Sequence, residues 1–200
     1  MPIMTKEKFD EMFESINPAQ SPSELWWMME KLNQIQPERV LEIGGGGSTL
    51  FWSFFAPTIS LTLGNYATAK SGVPHESEPF GGFEEIFIYN GSPFYTGART
   101  FVCDSHLQST LENVAALGPY DFLFIDGDHR RTGVQMDIEM YFPLVRPGGL
   151  AAFHDWSHQG TYVPDGDCHP VQLAFKNLGM APTEVNSDGK LGYGIATYQL

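Results

Sequence analysis

The run Tyr120-Asp121-Phe122-Leu123-Phe124-Ile125 limits the possible folds more than any other segment. Four consecutive apolar residues, Phe122 to Ile125, suit a strand covered on both faces, and such strands belong to parallel sheets flanked by helices. The run breaks at Asp126-Gly127-Asp128-His129, which cannot continue a buried strand. In open parallel sheets, ligands bind just beyond the carboxyl ends of the strands. A carboxylate and an imidazole delivered there can hold a metal ion and move a proton. The alternative is a polar turn closing the strand, with Asp126 capping the next helix, because Asp and Gly are ordinary turn residues.

A second segment reads as strand, glycine loop, helix: Val40-Leu41-Glu42-Ile43, then Gly44-Gly45-Gly46-Gly47, then Ser48-Thr49-Leu50-Phe51-Trp52. Glycines let the backbone approach a ligand, and the helix start offers unpaired N–H groups. The pattern departs from the dinucleotide fingerprint, since the sixth position counted from Gly44 is Thr49. The acid Glu42 lies on the first strand, and the second strand, 59–63, ends in Gly64-Asn65 without an acid for a ribose hydroxyl. A nicotinamide-dependent reductase is therefore disfavoured.

Strand and helix patterns alternate along the chain. Helical spacing covers 5–16 and 23–35, with Phe9, Met12, Phe13, Leu25, Trp26, Met29 and Leu32 as apolar positions. Further strands are expected at 39–43, 59–63, 100–103, 120–125 and 150–153, with helices at 49–55, 107–117, 132–142 and 171–178. Pro147-Gly148-Gly149 reads as a turn into the strand that ends at His154-Asp155. On the helix 132–142, Val134 and Ile138 face inward and Asp137 and Glu139 are expected in solvent. Segments 183–185 and 192–198, joined by Ser187-Asp188-Gly189-Lys190, form a closing hairpin. The pattern predicts an α/β fold with a Rossmann-like, doubly wound, seven-stranded sheet, mostly parallel, with an antiparallel C-terminal hairpin. Residues 1–36 are expected as N-terminal helices packing on the core, and 37–200 as the main domain. An insertion at 66–98 has a candidate short strand at 85–89 and reads either as a lid or as surface decoration.

The chain has 24 acidic against 11 basic residues, a formal charge of −13, which disfavours a nucleic-acid partner. Two cysteines in 200 residues make no disulfide framework, so a reducing cytoplasm is the default expectation. No apolar stretch approaches bilayer length, so no membrane partner is expected. The aromatic N-terminal residues Phe9, Phe13, Trp26 and Trp27 suit burial against the core or a second subunit, which leaves a homo-oligomer open.

Val40-Leu-Glu-Ile-Gly44, Phe122-Leu-Phe-Ile-Asp-Gly-Asp-His129, Pro147-Gly-Gly-Leu150 and Phe153-His-Asp155 follow one another in an order that resembles class I S-adenosylmethionine-dependent methyltransferases. The nearest likeness is to the metal-dependent small-molecule O-methyltransferases of the macrolide-sugar, cephalosporin-biosynthesis and catechol type, over roughly 37–198. The resemblance implies S-adenosyl-L-methionine as cofactor, with Glu42, Gly44 and Gly46 in its loop. Asn65 falls where an acid usually holds the ribose, and Asp104 and Ser105 fall at the adenine position. It implies a divalent metal, Mg²⁺ by default, held by Asp126, His154 and Asp155. It also places His129 as general base beside Asp126, with Asp128 either orienting that His or staying solvated. His154 departs from the usual pair of oxygen ligands, so it either leaves the shell or favours a transition metal. The implied reaction is O-methylation of a hydroxyl on a small molecule. Two alternatives remain: a metal-independent methyltransferase, and a non-catalytic binding or scaffold protein that keeps the fold.

Overall fold

In the computed structural model, which describes residues 2–63, 83–86, 93–94, 97–157, 169–187 and 193–200, two helices precede the alternating pattern. They are α1 (Lys6–Ile16) and α2 (Pro22–Ile35). Then come β1 (Val40–Ile43), α3 (Ser48–Phe55), β2 (Thr58–Thr62), β3 (Glu84–Ile86), β4 (Arg99–Val102), α4 (Gln108–Ala115) and β5 (Tyr120–Ile125). The chain continues with α5 (Arg131–Tyr141), a 3-10 turn (Phe142–Leu144), β6 (Val145–Phe153), α6 (Pro170–Asn177), β7 (Glu184–Asn186) and β8 (Ile195–Gln199). Gly64, Asn65, His75, His158, Cys168, the turn 188–190 and most of 66–98 lie outside the described residues.

The sheet has the order β3-β4-β2-β1-β5-β6-β8-β7. β4, β2, β1, β5 and β6 pair in parallel, and β8 runs antiparallel to both β6 and β7. Seven strands are those expected. The eighth is β3, which overlaps the suspected short strand and joins the β4 edge antiparallel. Pro147-Gly148-Gly149, expected as a turn, lies within β6; the β5–β6 register shifts between Tyr120 and Phe122 to accommodate it.

Residue parity on the central strands decides what each face buries. Leu41, Ile43, Leu123 and Ile125 join a cluster with Val114, Val134, Ile138, Tyr141 and Phe175, under α4, α5 and α6. Val40, Phe122 and Phe124 join the opposite cluster with Phe9, Met12, Leu25, Phe51 and Trp52. Trp52 packs on Phe124 with ring centroids 4.8 Å apart and on Phe122 at 5.3 Å. Side chains of this size stabilise by about 1.5–3 kcal/mol each when fully buried. Phe9 and Met12 bury in this cluster, with Phe13, Trp26 and Trp27 packed against it. The N-terminal aromatic residues are thus largely covered by their own chain.

Asp137 corrects an expectation. It is fully buried, whereas Glu139 is exposed as expected. Val134, Asp137, Ile138 and Tyr141 follow one helical face, so the same spacing that turns Val134 inward takes Asp137 with it.

Candidate active site

The chain order reverses between β1 and β5, and a cavity opens beyond their carboxyl ends. Gly44 closes its floor with φ +94°, and a Cβ there would lie 2.0 Å from the carbonyl oxygen of Asp126. Only glycine permits both the left-handed backbone and that approach. The amides of Gly44 and Gly45 both donate to the Leu61 carbonyl, at 2.9 and 2.8 Å, so the loop is pinned to β2. The cavity above it is about 940 Å³, and its walls include residues 43–48, 61–63, 103–106, 126–130, 154 and 155.

Glu42 is placed elsewhere than in the cavity wall. It shares the face of Val40, and its carboxylate is fully buried beneath α3. It accepts hydrogen bonds from Ser48 Oγ at 2.6 Å, Ser60 Oγ at 2.7 Å and Trp52 Nε1 at 2.8 Å, and from the Thr49 hydroxyl. Burial pushes its pKa up to about 7, against the pull of those four donors. The carboxylate anchors the helix that follows the glycine loop.

Beyond β4, the turn at Asp104 is held by its own carboxylate, which accepts from the His106 amide at 2.8 Å. Ser105 Oγ donates to Asp137 Oδ1 at 3.1 Å, and the Ser105 carbonyl accepts from the Tyr141 hydroxyl at 2.5 Å. His106 Nε2 lies 3.2 Å from the same Asp137 oxygen, and this carboxylate raises the His106 pKa against the effect of burial. Asp104, Ser105 and His106 therefore form one braced wall of the cavity.

The opposite wall carries the acids and imidazoles. Asp126 and His154 follow β5 and β6 directly, which puts them side by side because those strands are parallel neighbours. His154 Nδ1 lies 3.0 Å from Asp126 Oδ1 and 3.4 Å from Asp155 Oδ1. One ligand atom from each of Asp126, His154 and Asp155 falls within 4.8 Å of the other two. Burial opposes a charge on His154, but the Asp126 and Asp155 carboxylates outweigh it and push its pKa up to about 9.

His129 Nδ1 contacts Asp155 Oδ2, and this hydrogen bond raises the His129 pKa while burial works against it. Asp155, not Asp128, is thus the group that orients His129. Asp128 is bound by Arg130, with Nη2 2.5 Å from Oδ2 and the Arg130 amide 2.9 Å from Oδ1. Burial alone would raise the Asp128 pKa, but Arg130 lowers it.

Gln20 belongs to this wall and sequence reading missed it. It is 3% exposed, and its amide nitrogen donates to Asp126 Oδ2 at 2.8 Å across 106 residues of chain. It precedes Ser21, whose capping box with Glu24 starts α2 and fixes the loop. Glu24 in turn accepts from the Gly194 amide at 2.6 Å, and Tyr193 stacks on His154 at 5.6 Å. No local pattern marks Gln20; the capping box beside it was the available signal.

A family model described as a methyltransferase domain matches residues 41–156. The demethylmacrocin O-methyltransferase of Streptomyces fradiae is 35% identical over 161 residues, 74% of this chain and 35% of that protein. The chain spans about a third of the length of the curated relatives it matches. An O-methyltransferase from Bacillus cereus, solved in complex with SAH, superposes with a TM-score of 0.66 at 16% identity, over 99% of this chain and 93% of that one. The MycE methyltransferase of the mycinamycin biosynthetic pathway, solved with Mg and SAH, gives 0.57 at 18% identity, over 94% of this chain and 53% of that one. At these identities the superpositions establish the fold alone. Among the described residues, no helix is long and apolar enough to cross a membrane.

Proposed function

The chain belongs to the methyltransferase-domain family, and we propose that it transfers a methyl group from S-adenosylmethionine to a hydroxyl oxygen of a small molecule. The observation that carries this reading is the meeting of Asp126, His129, His154 and Asp155 on one wall of the cavity whose floor is the glycine loop. The relatives whose names specify a reaction are O-methyltransferases.

When bound, the cofactor supplies an electrophilic methyl group, and a divalent ion lowers the pKa of a hydroxyl attached to it. The chain's own residues do the rest. The loop 44–47 gives the cofactor a close backbone approach, and Asp104 with Ser105 shapes the far wall where its base would lie. Asn65 is proposed for the ribose. Glu42 acts on the cofactor indirectly, by fixing α3 and therefore the loop.

His129 is the proposed general base. Its Nδ1 hydrogen goes to Asp155, which leaves the Nε2 lone pair to take the acceptor's hydroxyl proton. Asp155 also stabilises the imidazolium formed by that transfer. The donor set suits a divalent cation: two carboxylates and one imidazole converge, and the buried amide oxygen of Gln20 beside them has no partner among the described residues. Asp126, His154 and Asp155 would hold the ion. Holding nucleophile and methyl donor in line can supply several kcal/mol, up to about 7–11 in favourable cases.

A metal-independent version has its own support, because Asp126 pairs with His154 and Asp155 with His129, and two such pairs can position a hydroxyl. Radiolabelled methyl transfer to a panel of sugar, phenol and macrolide hydroxyls tests the proposal, with and without EDTA. Wild-type transfer that falls at least about 100-fold in His129→Ala supports the base. Turnover unchanged in both Asp126→Ala and His129→Ala would defeat it, and turnover unaffected by EDTA would select the metal-independent version.

A further inference from the structure

We infer that this site selects a first-row transition ion of the Fe²⁺, Co²⁺ and Zn²⁺ group over Mg²⁺, with His154 Nδ1 as a nitrogen ligand. The inference rests on the metal-bearing form of the proposed reaction and specifies which ion that form uses.

The geometry identifies the ligand atoms. Gln20 Nε2 holds Asp126 Oδ2 at 2.8 Å, so Asp126 presents Oδ1 to His154. His129 Nδ1 holds Asp155 Oδ2, so Asp155 presents Oδ1 to the same nitrogen. Each carboxylate is thereby oriented by a donor outside the ligand set, an arrangement that fixes ligand direction in metal sites. The inward atoms Asp126 Oδ1, His154 Nδ1 and Asp155 Oδ1 have separations from the nitrogen of 3.0 and 3.4 Å. Adjacent corners of an octahedron with bonds of about 2.1 Å lie about 3 Å apart. Both carboxylate oxygens therefore lie near the spacing of an adjacent octahedral corner from His154 Nδ1, and all three ligand atoms fall within 4.8 Å of one another.

Their chemistry decides among ions. His154 is 5% exposed and stacked on Tyr193, so the ring is not a side chain that can swing out to give way to water. Mg²⁺ takes oxygen ligands almost exclusively and would gain little from this nitrogen, whereas imidazole is a favoured ligand of Fe²⁺, Co²⁺ and Zn²⁺. With Nδ1 on the ion, the ring hydrogen resides on Nε2, which is buried and has no partner among the described residues.

Co²⁺ is the probe. The full chain is titrated calorimetrically with Co²⁺ and with Mg²⁺, and the Co²⁺-loaded protein is examined by proton NMR. Tighter Co²⁺ binding is expected, together with a strongly shifted, solvent-exchangeable imidazole N–H signal. His154→Gln is expected to lose that signal, and His154→Glu to lower the Co²⁺ to Mg²⁺ affinity ratio at least about tenfold. Retention of the signal in His154→Gln, or an unchanged ratio in His154→Glu, overturns the inference while leaving a metal-bearing reaction in place. Circular dichroism confirms that each variant is folded. Failure of both ions to bind the wild type overturns the inference and the metal-bearing reaction together.

Discussion

Replacing Glu42 with Gln should change how stability depends on pH, and the structure gives the size of the change. Glu42 is buried beneath α3 with a pKa raised from 4.5 to about 7. The rise from 4.5 to about 7 corresponds to about 3 kcal/mol between the two protonation states. Because the folded state holds the proton more tightly than the unfolded chain, this stabilisation is complete below about pH 4.5. It is lost as the pH rises through about 7. The amide introduced by Glu42→Gln cannot ionise, yet its carbonyl can accept from Trp52, and the hydroxyls of Thr49 and Ser60 can turn to accept from its nitrogen. The variant should therefore gain on the wild type by about 3 kcal/mol between pH 4 and pH 8. Urea denaturation of both proteins across that range measures the difference. A stability difference that stays constant with pH would mean that the four donors keep Glu42 ionised in the fold, contrary to its raised pKa.

Three further outcomes follow from particular contacts. Gly44→Ala combines a left-handed backbone cost of about 1–2 kcal/mol with the approach to the Asp126 carbonyl, so its urea midpoint should fall and cofactor binding should be lost; a variant of wild-type stability would show that the loop tolerates a side chain. Cys103 is buried and burial pushes its thiol up to about 12, so native protein at pH 8 should leave it unmodified by a disulfide reagent, as peptide mass mapping would reveal; rapid labelling would contradict this. Asp121→Ala should cost roughly 1–3 kcal/mol, because it leaves the Glu38 and Arg39 amides, which donate to the buried carboxylate at 2.6 and 2.8 Å, without their acceptor, while the half-exposed Arg146 that pairs with it can turn to solvent; a loss under about 0.5 kcal/mol in urea titration would count against it.

The parts legible in the sequence were those set by local pattern. Phe122 to Ile125 announces a strand buried on both faces, and the break at Asp126 marks its carboxyl end. Asp126, His154 and Asp155 are grouped in the sequence by the family resemblance, and in the fold it is the parallel pairing of β5 with β6 that brings them together. What sequence did not supply depends on tertiary placement. Gln20 reaches Asp126 from a loop 106 positions away, held there by a helix cap and not by any spacing with its partner. Asp137 was expected in solvent because of its charge, although its position one turn from Val134 and Tyr141 already placed it inward; burial with Ser105 and His106 settled the conflict. Glu42 followed strand parity, which pointed it under α3 toward Ser48, Thr49 and Trp52 and away from the crevice.

Whether this cavity binds the methyl donor is decided by calorimetric titration of S-adenosylmethionine into the purified protein, once with divalent ion and once with EDTA. Micromolar binding is expected in at least one buffer, abolished in Gly44→Ala. Absence of binding in both buffers at millimolar cofactor would contradict the proposed methyl transfer, and would leave a protein that keeps the fold without the reaction.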